Sequence, residues 1–562
     1  MDKRTLLFIV AVGLSMIGFN YWFSPAEDAK APPVPKKIAL TAPAPATDEQ
    51  FYIFENAYQQ LVFSNKGGAL AEINLPIHSE QHPGSSIRKI EADRETDTYY
   101  PLLRKGVVGK DPRHYAFTVL SDGPIINYQV KNQTKTSITF ESVEPNRTIT
   151  KTFSFPENQE KSPYCLELAV QIEGDARGLT LTSGIPEVEL VSGSPAPALK
   201  YRLIRNQKAV VEALDLPKKE NSLSSVEPLW VCNSNGFLGL IIQPLTEIGT
   251  GFNTVNVPGT LAPSRLALVN KDAESYAGYE MQLPLIATKE PMRFNIFAGP
   301  FDTQVLKVVD TTNEGGYSAS QSSQGWFSFI SEPFAKLLFV LMNFFYNITH
   351  SWGISIILLT AALRVMLYPL NAWSIKSTIK MQQISPQVAA IQEKHKKEPK
   401  KAQQEIMSLY REKGVNPLTG CLPILIQMPF LIGMFDLLKT TFELRGASFI
   451  PGWIDNLAAP DVLFSWGTPI FFFGSDFHLL PIILGVVMYL QQKLSSPLPK
   501  DANQLTDTQR QQKFMGNIMA IVFTVMFYNF PSGLNIYWLS SMLLGILQQW
   551  LTTKSMNRKA AT

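Results

Sequence analysis

The stretch from Trp352 to Leu370, WGISIILLTAALRVMLYPL, surrounds one arginine with an apolar run of 19 residues. Wound as a helix at 1.5 Å per residue, such a run matches a bilayer's hydrocarbon core of roughly 30 Å. A guanidinium stays charged at any ordinary pH, so Arg364 cannot shed its charge. A charge in such a span costs several kcal/mol unless water or a partner reaches it. Thr360, Arg364 and Tyr368 are spaced i, i+4, i+8 and share one helix face. Leu359, Ala362 and Met366 fall opposite and are expected to meet apolar surroundings. Trp373 marks the cytoplasmic end, which leaves Arg364 roughly 13 Å inside at this rise, too deep for easy snorkelling. The spacing predicts a hydrated polar site.

The remaining totals average two unlike halves. Of 562 residues, 45% are hydrophobic, yet mean hydropathy is near zero because one half is water-facing and the other membranous. Three cysteines (Cys165, Cys232 and Cys421) are too few for a disulfide framework. Cys165 and Cys232 could pair only if the fold brings them together. Twelve of the sixteen methionines follow residue 325, which gives the second half soft, adaptable side chains.

Lys3 and Arg4 precede an apolar run ending in Tyr21, Trp22 and Phe23. Basic residues stay in the cytoplasm and aromatics favour the interface, so residues 1–23 read as an uncleaved anchor running outward. Pro- and Ala-rich residues 24–48 read as a tether. Residues 49–325 alternate apolar and polar positions, as at Leu166, Leu168, Val170 and Ile172, with Gly, Pro and Asn between runs. This predicts an antiparallel β-sandwich. Residues 326–350 read as an interfacial amphipathic helix, with Lys336, Asn343 and Asn347 on one face. Residues 351–373 are the second transmembrane helix.

Residues 374–417 read as a cytoplasmic helical hairpin, since 376–417 carry nine Lys/Arg against four Glu. Ser385-Pro386 is either a helix start or a kink, and Glu398-Pro399 starts the second arm. Residues 418–554 hold four more spans, with an external loop at 445–478 and a short turn at Pro531-Ser532-Gly533. Residues 555–562 form a cytoplasmic tail. The fold class is a multi-domain integral membrane protein: an α-helical core with six crossings in all, both termini inside, plus an all-β external domain. The segment from Leu479 to Leu490 is short for a bilayer and favours local thinning.

Polar residues recur on the later spans. Asn517, Thr524 and Tyr528 share one face, Tyr537, Ser541 and Gln548 another, and Gln427 and Gln492 add amides. Together with Arg364 they suggest the lining of a wet cavity. Asp436 stands about 22 Å up its own helix, so it is not expected to neutralise Arg364, which water should satisfy.

The Arg364 helix, the basic hairpin, VNPLTGCLPILIQMP (415–429), FELRGA (442–447) and FPSGLNIYW (530–538) resemble the YidC membrane protein insertase family. The resemblance spans anchor, external domain and core. It implies a periplasmic β-supersandwich and a bacterial inner-membrane insertase and chaperone, acting alone or with the Sec translocon. It further implies a hydrophilic groove open to cytoplasm and lipid, with Arg364 as groove arginine and Thr360 and Tyr537 facing groove or client. Trp538 stands where some relatives carry a second tyrosine. The expected client-binding set is Arg364, Thr360, Gln427, Gln492, Asn517, Thr524, Tyr537 and Trp538. Expected partners are nascent membrane proteins, the ribosome, the Sec translocon and lipids. No cofactor, metal, nucleotide or small-molecule substrate is expected.

A solute transporter is disfavoured by the lack of an evident inverted repeat and of paired ionisable groups across the spans. A scaffold working through its external domain would lose activity on deletion of residues 50–310, whereas an insertase core would keep it. An intramembrane protease would need a Ser/His, paired-Asp or HExxH set, and the spans hold none. The basic hairpin suits lipid headgroups or ribosomal RNA. Reversing several of its charges should therefore weaken ribosome or lipid association in a salt-sensitive manner, read by binding across a salt titration. Unchanged binding would reduce the hairpin to a solvated face.

Overall fold

A computed structural model describes residues 49–90, 98–103, 111–191, 194–195, 197–257, 276–321, 328–395, 398–414, 422–470, 473–495 and 507–561. The expected anchor, the tether and the 415–421 part of the VNPLTG motif lie outside the described residues. The chain divides into two compact units. The first comprises Met1–Gln324, Lys439–Gly446 and Gly467–Pro469, and the second Gly325–Leu438, Ala447–Trp466 and Ile470–Thr562.

Period-two alternation builds the first unit. Strand Cys165–Gly174 buries Leu166, Leu168, Val170 and Ile172 while Glu167 faces water. It lies within an antiparallel sheet of nine strands. In spatial order these are Lys208–Leu214, Ala198–Arg205, Trp230–Ser234, Leu238–Pro244, Met292–Pro300, Cys165–Gly174, Arg147–Ser154, Ser137–Glu144 and Gln129–Gln133. Two smaller sheets cover it. A four-stranded sheet packs Phe63 against Phe153, ring centroids 4.9 Å apart. A five-stranded sheet is tied on by Asn233, whose side-chain amide donates to the Tyr279 carbonyl at 2.8 Å. The first unit is therefore a β-rich layered body.

The cysteine question resolves through register. Cys232 lies opposite Ile241, Ile241 opposite Phe297, and Phe297 opposite Cys165. Three strand spacings of about 4.8 Å put the two sulfurs' backbones roughly 14 Å apart, twice a disulfide's reach. Both thiols are free and buried, and burial raises each to about 12. One inward position holds a lysine. Lys151 follows Ile149 and precedes Phe153 on the buried face, and its ammonium donates to the carbonyls of Gly67 and Phe117. Burial lowers its pKa well below the usual range.

The Lys439–Gly446 segment belongs to this unit through a buried ion pair. Arg445 Nε donates to Glu189 Oε1 at 2.5 Å, and both side chains are under 5% exposed. Tyr100 completes the cluster: its hydroxyl donates to Glu189 Oε2 at 2.9 Å, and its ring lies 5.0 Å from the guanidinium carbon.

Helix α1 (Thr303–Asn313) is N-capped by Asp302, which accepts from the amides of Gln304 and Val305. The other helices form the second unit: α2 (Ser328–Thr349), α3 (Trp352–Met366), α4 (Tyr368–Lys394), α5 (Pro399–Glu412), α6 (Leu422–Thr440), α7 (Leu480–Ser495), α8 (Asp507–Phe527) and α9 (Ser532–Ala561). His350, with φ +53°, reverses the chain between α2 and α3, and Ser351 caps α3. Tyr346 stacks on Trp352 across that turn, 4.0 Å between centroids.

Three expectations change here. The span predicted over Trp352–Leu370 stops at Met366, because Pro369 removes an amide and its ring crowds the carbonyl of Val365. Tyr368 thus begins α4 and is exposed rather than continuing the Arg364 face. Leu359, expected in apolar surroundings outside the bundle, is fully buried, and the exposed stripe runs through Ile354 and Val365. Pro386 is accommodated inside α4 as one continuous helix. The α4 and α5 arms pack together, joined by a His395–Glu405 contact of 2.6 Å.

Among the described residues no helix is long and apolar enough to cross a membrane. The 15 residues of α3 and 16 of α7 reach only about 22–24 Å.

Removing Arg445 would leave Glu189 as an uncompensated buried charge. Arg445→Ala is expected to destabilise the β unit by about 3–5 kcal/mol. Hydrogen–deuterium exchange over Trp230–Ser234 in the full chain would register the loss. The Arg445→Ala/Glu189→Ala double variant should lose less than the single one, since no lone charge remains.

Candidate functional site

A parallel helix pair positions the arginine. A Cβ on Gly533 of α9 would lie 3.3 Å from Ile356 of α3, and one on Gly545 would lie 2.9 Å from Arg364 Nη2. Low numbers thus meet low numbers, so α3 and α9 run the same way with an offset of 177 residues at Ile356–Gly533. The same offset holds where the arginine bonds. Arg364 Nη2 donates to the Ser541 carbonyl at 2.6 Å and to the Ser541 hydroxyl at 3.0 Å. Gly545 makes this possible, because any larger side chain would occupy the space taken by the guanidinium.

Arg364 was expected to rely on water alone. Instead Ser541 supplies two neutral acceptors, while the buried Nε has no hydrogen-bond partner. A hydroxyl and a carbonyl bring no counter-charge to the guanidinium, whereas a carboxylate would offset its field. One turn away, Thr360 and Tyr537 stand level by the same offset, and both are buried. The Thr360 hydroxyl donates to its own helix at Ile356, 2.7 Å away. Past the break, α4 also packs on α9. On these two helices lie Asn371 and Gln548. Both are buried, and the side-chain nitrogen of each lacks a partner. The α3/α4–α9 seam therefore carries a ladder of polar groups around one cation.

A second pair holds the remaining expected residues. Gln492 of α7 lies over Gly516 of α8, beside Asn517. Thr524 lies over Gly485, and its hydroxyl donates to the Ala520 carbonyl at 2.9 Å. Trp538 turns from the arginine and packs on Phe527, centroids 5.4 Å apart. The side chain of Gln427 lies outside the described residues. Tyr528, grouped by spacing with Asn517 and Thr524, follows the end of α8 and bonds Asp476 and His478 instead. Sequence reasoning missed Ser541 as the arginine's acceptor, Gly545 as its notch, and Asn371. The Ser541-x-x-x-Gly545 spacing was a signal for close helix approach. Asn371 gave none, because the break at Leu367 resets the helical phase.

Among the described residues no group of three or more His, Cys, Asp or Glu could hold a metal. A cavity of about 20 Å³ beside Glu187, Glu189 and Tyr279 in the β unit has room for a single water.

Residues 344–559 match the family model described as 60Kd inner membrane protein. The chain is 47% identical to the membrane protein insertase YidC of Chlamydia caviae, over 92% of this chain and 71% of that protein. It is 30% identical to the membrane protein insertase YidC of Treponema denticola, over 91% of this chain and 87% of that one. A solved active YidC insertase with its first transmembrane domain resolved aligns at 17% identity and a TM-score of 0.37, covering 89% of this chain and 92% of that chain.

The Ser541–Gly545 cradle generates a ranking. Ser541→Ala keeps the backbone acceptor and, because the lost bond is to a charged group, should cost about 1.5–3 kcal/mol. Gly545→Ile would displace the guanidinium from both acceptors and should lower the melting temperature in detergent further. Thermal unfolding of the two variants side by side checks the order.

Proposed function

The chain belongs to the YidC family of membrane protein insertases, and on that premise we propose that its polar helix seams line a hydrophilic groove that receives client segments. It is a transmembrane inner-membrane insertase and not an enzyme, and its partners are membrane-protein clients and lipids. The residues proposed to line or flank the groove are Arg364, Thr360, Gln427, Gln492, Asn517, Thr524, Tyr537 and Trp538, to which the seam adds Ser541, Asn371 and Gln548.

One observation carries the reading. Among the described residues, a guanidinium is held between α3 and α9 by neutral acceptors, with its Nε left without a hydrogen-bond partner. Its positive charge is therefore free to act on a third party. A client's polar external tail must cross lipid, where each unsatisfied polar group costs several kcal/mol. A wet groove part-way across shortens that dry path, and Arg364 attracts acidic residues of the tail. The client's apolar segment then partitions into lipid past exposed Val365 and Met366. Hydrophobic partitioning drives the step.

The proposed topology keeps six crossings with both termini in the cytoplasm. The domain scheme is anchor 1–23, tether 24–48, periplasmic β-supersandwich 49–325, interfacial helix 326–350, crossing 351–373, hairpin 374–417, crossings 418–554 and tail 555–562. Helices as short as α3 and α7 suit a locally thinned bilayer. The basic α4–α5 arms are proposed to meet the ribosome, and the Sec translocon to cooperate on some clients.

If charge attraction is the role of Arg364, Arg364→Lys keeps much of the activity, because the charge survives without the planar fork. Arg364→Gln, which keeps polarity and removes charge, should impair clients with Asp or Glu in the translocated tail more than those with neutral tails. Protease protection of client tails in reconstituted vesicles measures both. Full activity of the Gln variant on acidic tails would sink the electrostatic role, and equal losses on both tails would make Arg364 a hydration element.

A further inference from the structure

Between α6 and α7 the chain runs LFSWGTPIFFF from Leu463 to Phe473, eleven residues without a charge. Its strands Phe464–Ile470 and Gly474–Phe477 form an antiparallel hairpin with two unlike faces. Phe464 lies opposite Phe477 with rings stacked at 4.8 Å, and Trp466 meets both edge-on. On the other face Ser465 donates to its cross-strand neighbour Asp476 at 2.5 Å. The indole of Trp466 donates to the Gly474 carbonyl at 2.9 Å, so this aromatic face needs no outside hydrogen-bond acceptor. Phe464 is 53% exposed and Ile470 50%, an unusual arrangement for a hairpin surrounded by water.

The hairpin is also held firmly in place. Buried Asp461, just before it, accepts from the Leu479 and Leu480 amides at 2.7 and 3.0 Å, at the start of α7, and from the Trp453 indole at 2.8 Å. Tyr528, just past the end of α8, donates to the Asp476 carbonyl and accepts from the His478 amide. Phe473 packs edge-on against the same Tyr528 ring, 4.9 Å away. The aromatic face is thus fixed at the ends of two helices whose own exposed side chains, Val486 on α7 and Ile521 on α8, are apolar.

We infer that this hairpin is an interfacial foot whose aromatic face lies in the headgroup–acyl boundary of the outer leaflet. Continuity with the apolar flanks of α7 and α8 identifies phospholipid as the occupant. Aromatic rings without charge, with their polar atoms internally satisfied, suit that depth. The foot sets how deeply the short α7 sits, and so holds the thinned bilayer beside the seam. The inference rests on the proposed topology, in which these helix ends face outward.

Spin labels in the full chain, reconstituted into vesicles of phosphatidylethanolamine and phosphatidylglycerol, test both layers. Cys421 is replaced by Ser, and single labels are placed through Ile470→Cys, Ser465→Cys and Val486→Cys. Collision with oxygen, which concentrates in lipid, is compared with collision with a water-soluble nickel chelate. The expected result is oxygen-favoured collision at 470 and 486 and a several-fold lower oxygen-to-nickel ratio at 465. A nickel-favoured label at 470 with an oxygen-favoured one at 486 would overturn the foot alone. Nickel-favoured collision at 486 would overturn the crossing of α7 and the foot with it. A label at 470 that is immobile and shielded from both reagents would mean a protein surface covers the face, which also overturns the lipid assignment.

Discussion

A permanent cation held between two helices is the constraint around which the helical unit is arranged. Arg364 cannot deprotonate, so the seam between α3 and α9 has to supply acceptors and space for it. Ser541 supplies the acceptors and Gly545 the space. Those demands explain why the two helices run parallel at close range with small residues on the α9 side. They also explain why the polar groups Thr360, Tyr537, Asn371 and Gln548 gather along the same seam. Each would be costly against lipid and is tolerable only where polar neighbours or water can reach it.

The β unit offers a contrasting arginine. Arg445 is fully buried, whereas Arg364 is only partly so, and it meets a carboxylate, a carbonyl and an aromatic face at once. Its charge is neutralised where it sits, and its role is to fix the Lys439–Gly446 segment. Among the described residues, Arg364 is given dipoles and no carboxylate in the hydrogen bonds that hold it. The difference in partner type fits the proposed division between a clasp and a recognition site: a neutralised cation would have little left to offer a client, whereas one held by dipoles would retain its field. At an effective dielectric constant of about 20, a carboxylate 4 Å from it gains roughly 4 kcal/mol.

Much of this was legible in the sequence, and the failures have physical causes. Alternation in CLELAVQIEG gave the strand and its buried face directly, because a two-residue period depends on nothing distant. Glu398-Pro399 marked the start of α5 for the same local reason. The Arg445–Glu189 pair joins residues 256 positions apart, and no local pattern encodes such a meeting. Leu359 was assigned to the wrong side because a helix apolar nearly all round gives no phase. Its buried face is set by α9 and the neighbouring helices, not by its own pattern. Pro369 carried a visible signal for the break after Met366, yet the apolar run continued through it and masked the phase change that removes Tyr368 from the arginine's face. The uncharged run at 463–473 was visible, but reading it as part of an external loop hid the cross-strand pairing that gives it two faces.

The shortness of the helices would join these local features in the proposed mechanism. With α3 near 22 Å and a standard hydrocarbon core near 30 Å, the mismatch is about 8 Å. Each ångström of mismatch is worth only a fraction of a kcal/mol to the bilayer, so thinning is affordable there. For a polar tail in transit the same ångströms matter more, since every unsatisfied group in the dry layer costs several kcal/mol. In the proposed mechanism, thinning and the Arg364 field would act on the same barrier, one by shortening the path and the other by stabilising charge along it. A neutral tail gains only from the first and an acidic tail from both. On that proposal, selectivity for tail charge would follow from the arginine, and the capacity to move any short polar tail from helix length.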